Sequence, residues 1–331
     1  MKILAFGEVM MRMMPPDYKT LTQVNELEFL FTGTGVNILS GLYQMGEQVT
    51  LVTRLPDNAV GHAASAHIRK LGIIDQHIVY GGSHMGIYFL EKGIGNRASQ
   101  VTYLNRKDSS FGHSELSDYD FSCLDGQDAI HICGISLAMN ENVREVAFAL
   151  VKEAKQRGIK VIFDCNFRPS LWDENERIYV KDIYEEMLNQ ADIVFAGYKD
   201  ATLLLKMSVN QNLPFEKQLE ILLHQMCQKY HIETIFGTIR QEEILSGYMM
   251  NQSQIIMSPQ YTLTVYDRVG GGDGFAAGAI YGYLHQMDYQ QLINYATVSG
   301  VLAHTTYGDS PIVTKQHILD FISYGKEDIK R

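Results

Sequence analysis

Apolar residues along this chain fall into two alternating patterns. Short continuous runs occur at KILAFG (2–7), QVTLVT (48–53), DAIHICG (128–134), KVIFDC (160–165), ADIVFAG (191–197) and ETIFGT (233–238). Their length and β-branched content suit strands buried on both faces. Between them, apolar positions recur at the three- and four-residue spacing of a helix face. NENVREVAFALVKEAKQRGIKVIFDCN at 140–166 shows a whole unit. Its helical spacing runs from Val143 to Ala154, Gly158 stands where a C-terminal cap belongs, and a buried strand follows. Repeated alternation of this kind predicts a largely parallel sheet with helices on both faces.

Two segments break the rhythm. One covers residues 12–34; the other, MGIYFLEKGIGNRASQVTYLNR at 85–106, reads as a hairpin, with a turn at Gly93, Gly95 and Asn96 between two strand-like runs. The expected division is an α/β core of 1–11, 35–84 and 107–331 with a β lid of 12–34 and 85–106. Met10, Met11, Met13 and Met14 read as strand packing.

Composition narrows the function classes. With 331 residues, 46% of them hydrophobic, the chain can bury a large core. A net charge of -10 and a pI near 5.5 exclude a generic nucleic-acid or anionic-membrane surface, which needs clustered positive charge. An anionic ligand must then be held by local arginines, backbone amides or a metal. The four cysteines have no CxxC pairing and read as reduced thiols. The first residues, broken by Glu8 and Arg12, read as a strand rather than a secretion signal. The cytoplasm is the expected location. The eleven histidines form no HExxH or similar pattern, so no protein metal ligand is assigned.

The densest chemical signal is YDRVGGGDGF at 266–275, after the alternating run YTLTV and before the helical FAAGAIYGYLHQM. Strand, glycine turn and helix start together make an anion site, because bare amides and the helix dipole point at the ligand. The glycines come too late in the chain for a dinucleotide fingerprint, and GxxxxGK[ST] does not occur. Asp273 at the mouth of this loop has two readings: an N-cap, or a base that takes a proton from a hydroxyl while the amides stabilise a transferring phosphoryl group.

DRVGGGDGFAAG resembles the C-terminal signature DTxGAGDxFxxG of the ribokinase-like (PfkB) sugar kinases. FTGTGVNILSGLYQMG at 31–46 resembles that family's N-terminal GGxxxNxAxxLxxLG, and TRLPDNAVG at 53–61 its TxLGxDxxG. The resemblance implies a ribokinase-like three-layer α/β/α core with a mainly parallel sheet, plus a small β-sheet lid. It implies ATP with Mg2+, Asp273 as base, and Gly270, Gly271 and Gly272 as an anion hole with the Asp273 amide. It also implies sugar contacts at Gly33, Gly35 and Asn37, and nucleotide contacts at Thr238, Arg240, Gly270 and Gly272.

A sugar acid carries a carboxylate that arginine binds best. Tyr88, Tyr103, Arg106 and Arg168, with PPDY at 15–18, resemble the 2-keto-3-deoxygluconate kinase branch, which makes the 6-phosphate. HTTYGDSP at 304–311 resembles that branch's xTxPGD, so Asp309 is expected either at the sugar's far hydroxyls or in an ordinary turn. DCNFR at 164–168 allows two readings: a turn with Arg168 paired to a carboxylate, or Arg168 as a ligand contact. Thr32, Arg268 and Gly274 depart from the family pattern, and Gly197 and Asp200 replace the asparagine and glutamate of its NxxE. Two alternatives stay open: a kinase for a neutral sugar such as fructose or ribose, and a non-catalytic sugar sensor. A homodimer through the lid is also expected.

Overall fold

The computed structural model describes residues 1–325; residues 326–331, assigned above to the core, lie outside the described residues. Strands run β1 Lys2–Phe6, β2 Met10–Met14, β3 Glu28–Thr32, β4 Gln48–Leu55, β5 Ile78–Tyr80, β6 Ile87–Glu91, β7 Gln100–Leu104, β8 Ala129–Cys133, β9 Lys160–Asp164, β10 Ile193–Phe195, β11 Thr234–Gln241, β12 Ile244–Asn251, β13 Ile255–Met257 and β14 Tyr261–Thr262. Helices are α1 Thr34–Gln44, α2 Ala59–Lys70, α3 Gly134–Leu137, α4 Glu141–Gln156, α5 Val180–Leu188, α6 Phe215–Tyr230, α7 Gly271–Leu284, α8 Tyr289–Ala303 and α9 Lys315–Tyr324.

The six apolar runs become six adjacent parallel strands, β4-β1-β8-β9-β10-β11, with β5 extending one edge and the antiparallel β12, β13 and β14 the other. Successive side chains face opposite sides of the sheet, and both sides are buried. Leu4, Ile130 and Phe163 join a cluster with α4, α5 and α6; Ile3, Ala129 and Ile162 join another with α1, α2, α7 and α8. Three layers result, in the ribokinase-like α/β arrangement. Asn140 caps α4 by accepting from the Val143 amide, and Gly158 follows the helix at φ +71.

The small sheet has the order β3-β2-β6-β7, antiparallel except for the parallel β2–β6 pair. It starts at Met10, two residues before the expected boundary, because Met10 already pairs with Thr32. Met10, Met14, Tyr88 and Leu90 form its buried cluster, so the methionines do pack a strand. The expected strand YTLTV shortens to Tyr261–Thr262: its partner β12 begins at Ile244, and no strand remains beside residues 263–265. Among the described residues no helix is long and apolar enough to cross a membrane.

Candidate active site

The parallel strands end along one rim, and between this rim and the small sheet lies a cleft of about 1410 Å³. Gly33, Gly35, Asn37, Tyr88, Tyr103, Arg106, Arg168, Thr238, Arg240, Gly270, Gly272, Asp273 and Asp309 all line it. Gly271 does not; the His304 ring covers the position a Cβ would take.

The glycine loop has a steric reason at two points. Gly270 sits at φ +89, and a Cβ there would run into the Asp309 carbonyl oxygen, whereas a Cβ on Gly272 would meet nothing within 4 Å, leaving room for a ligand. Gly270, not Asp273, is the N-cap of α7, which overturns the capping reading of Asp273. The amides of Gly270, Gly271, Gly272 and Asp273 have no acceptor among the described residues, as expected at the N-terminus of a helix, and Gly270, Gly272 and Asp273 line the cleft.

Asp273 is half-buried, and its Oδ2 accepts from Asn37 Nδ2 at 2.8 Å. Asn37 is itself fixed, because its Oδ1 accepts from Ser310 Oγ at 3.0 Å and Thr32 Oγ1 at 3.3 Å. Its amide therefore holds the aspartate, which sequence reasoning had not assigned to it. Burial pushes the Asp273 carboxyl up to about 6, opposed by the Asn37 hydrogen bond and the Arg168 charge. Asp164, at the end of β9, is pushed up to about 7 by burial and by the charges of Asp273 and Asp200. Burial also raises Asp200, whose Oδ2 accepts from the Gly197 amide at 2.8 Å. The Gly197–Asp200 segment thus caps its own turn. No group of three side chains among the described residues could coordinate a metal directly. Yet the charges of Asp200 and Asp273 both act against ionisation of the buried Asp164, and a hydrated divalent cation would relieve that repulsion, so these residues fit Mg2+ held through water.

The two arginines differ. Arg106 is buried, with Nε on Glu8 Oε2 at 2.7 Å and Nη2 on the Ile135 carbonyl at 3.2 Å. Its guanidinium carbon lies 5.9 Å from the Tyr103 ring centroid. Arg168 is exposed, its Nε on Asn166 Oδ1 at 3.1 Å, and no carboxylate pairs with it among the described residues. Asp164 and Asn166 do bond within the turn, as a structural DCNFR would require, but the expected carboxylate partner of Arg168 is missing. Arg106→Ala, by contrast, leaves Glu8 buried and unpaired. Chemical denaturation should show a loss of about 3 kcal/mol; unchanged stability would mean that the pair is dispensable.

Asp309 lines the cleft and is also tied into the protein. It is 2% exposed, and its two carboxylate oxygens accept from Arg12 Nη1 and from Tyr88 Oη, the latter at 2.8 Å. Thr238 and Arg240, on β11, are exposed on the far wall. Nearby, Tyr198 and Phe215 pack with centroids 5.4 Å apart and ring planes tilted by 44°, an aromatic wall without a sequence signal because α6 and the β10 loop meet only in the fold.

The profile of the pfkB family carbohydrate kinases matches residues 1–316. A solved Enterococcus faecalis structure, named as a 2-keto-3-deoxygluconate kinase, is 41% identical with a TM-score of 0.95, covering 100% of this chain and 98% of that one. The solved 2-dehydro-3-deoxygluconokinase of Thermotoga maritima is 31% identical with a TM-score of 0.92, covering 98% and 99%. A 2-dehydro-3-deoxygalactonokinase of Haloferax volcanii is 22% identical over 330 residues, covering 100% and 99%. With the profile spanning almost the whole length and a 41% identical relative matched along all of this chain, the chain belongs to the pfkB family of carbohydrate kinases.

Proposed function

We propose that this carbohydrate kinase transfers phosphate from ATP to the 6-hydroxyl of 2-keto-3-deoxygluconate. The observation that carries the reading is Asp273, oriented by Asn37 beside four amides that, among the described residues, have no acceptor, in a cleft whose Arg168 has no carboxylate partner among those residues. The unpaired cation suits the substrate's carboxylate, aided by any Arg106 donor left free by Glu8, while Tyr88 and Tyr103 form the lid wall against the sugar. Gly33 and Gly35 line the cleft where the sugar would lie, their missing side chains making room for the Glu8 carbonyl and for Ala5 and Leu51. Thr238 and Arg240 stand where the nucleotide would lie, beside the aromatic wall.

In the transfer, Asp273 takes the 6-hydroxyl proton as that oxygen bonds to the γ-phosphorus, and the bond from phosphorus to the β,γ-bridging oxygen breaks to release ADP. The amides of residues 270–273 stabilise charge on the transferring group. Mg2+ supplies charge neutralisation at the phosphates; Asp164 and Asp200 would hold its waters. The sensor alternative finds no support in a site that retains base, orienter and amides together. The edge strand β7, exposed along all five residues, is where two copies would pair.

Product analysis tests the regiochemistry: phosphorus NMR coupled to carbon assignment should place the phosphate on C6, and a phosphate elsewhere would overturn the pose. A base must be ionised, so kcat/KM for the sugar should fall as pH drops through the 6 to 7 region set by the Asp273 and Asp164 carboxyls, roughly tenfold per unit once below both. A flat pH–rate profile through that region would contradict Asp273 as base.

A further inference from the structure

Arg12 is the largest fully buried side chain, and it belongs to the small sheet rather than to the catalytic layer. Its Nη2 donates to Asp267 Oδ2 at 3.0 Å and contacts Met14 Sδ at 3.0 Å; its Nη1 pairs with Asp309 Oδ1; its Nε has no partner among the described residues. The two carboxylates flank the glycine loop. Asp267 stands three residues before Gly270 and its Oδ1 accepts from the Val269 amide at 3.3 Å. Asp309 places its backbone carbonyl against the Gly270 α-carbon so closely that no Cβ fits. Two other small-sheet residues grip the same acids: Tyr88 donates to Asp309 at 2.8 Å, and Lys92 lies 3.3 Å from Asp267.

We infer that Arg12 is a positioning residue for phosphoryl transfer, fixing the 270–273 amides by clamping the carboxylates on both sides of their loop to the small sheet. This rests on the anion-hole reading proposed above. Stability alone does not account for the arrangement, since well-packed apolar residues can replace a buried charge cluster at no cost. What the cluster supplies is geometry. A guanidinium holds two carboxylates in fixed directions, which the point charge of lysine cannot do. Amides aimed at a developing charge must be placed closely, and a displacement of about 1 Å can cost about 100-fold in rate. The small sheet is then part of the catalytic scaffold at this edge as well as a cover for the cleft.

Three variants test the idea on the full-length protein, each assayed well below its own unfolding midpoint: Arg12→Lys, the charge-balanced pair Arg12→Met with Asp309→Asn, which keeps Lys92 with Asp267, and Gly272→Ala. The expected result is a kcat about 100-fold lower for Arg12→Lys and for the pair, with the sugar KM within about threefold of the parent, and a lowered kcat for Gly272→Ala. The pair keeps the test decisive if Arg12→Lys does not fold. Parent-like kcat in either Arg12 variant, with Gly272→Ala impaired, overturns the positioning role and leaves the anion hole standing. Parent-like kcat in Gly272→Ala overturns the anion hole and the inference with it. A raised KM at unchanged kcat would make Arg12 a substrate-binding support instead, and also overturns the claim.

Discussion

Asp273→Asn is expected to lower kcat by about 100- to 10,000-fold, the range that general acid–base catalysis contributes, with sugar binding retained. The substitution is nearly isosteric. The new amide oxygen can still accept from Asn37 Nδ2, so α7 and its amides keep their places. What is lost is the only function the amide cannot supply, acceptance of the hydroxyl proton. Steady-state rates paired with calorimetric titration of the sugar separate the two effects. If the variant turned over like the parent, another group would have to be the base, and Asp164, with its carboxyl near 7, would be the first to examine.

Arg168→Ala is expected to weaken a sugar acid by about 10- to 150-fold, corresponding to about 1.5–3 kcal/mol for a charge-assisted hydrogen bond, and to spare neutral sugars. This site gives a cleaner test than Arg106. Arg168 has no carboxylate partner among the described residues, so its removal orphans no buried charge, whereas Arg106 is tied to Glu8. A second consequence has a fixed sign. The Arg168 charge lowers the Asp273 carboxyl, so without it the carboxyl titrates higher and the acid limb of the pH–rate profile moves to higher pH. KM values for 2-keto-3-deoxygluconate and fructose, measured with the pH profile, check both. Equal losses for the two sugars would remove the reason for assigning an acid substrate.

Strong local patterns carried most of the fold. The six apolar runs are buried on both faces through their centres, and such strands are legible because those central residues all obey one requirement. The glycine loop was legible for a related reason: Gly270 needs a left-handed backbone with no side chain, a demand the sequence cannot hide. What escaped were features made by chain-distant partners. Arg12 lies 255 residues from Asp267 and 297 from Asp309, and only the fold brings them together. The bonds from Asn37 to Asp273 and from Tyr88 and Arg12 to Asp309 were equally invisible in the sequence. The length of β14 depended on where β12 begins, which is information absent from the YTLTV run itself.

The most direct measurement is ADP release by the purified protein with ATP and Mg2+, comparing 2-keto-3-deoxygluconate with gluconate, fructose and ribose at equal concentration. The account predicts turnover of the keto acid well above the other three, lowered about 100-fold or more by Asp273→Asn. Turnover of fructose or ribose without the keto acid, or no turnover of any of the four, would contradict it.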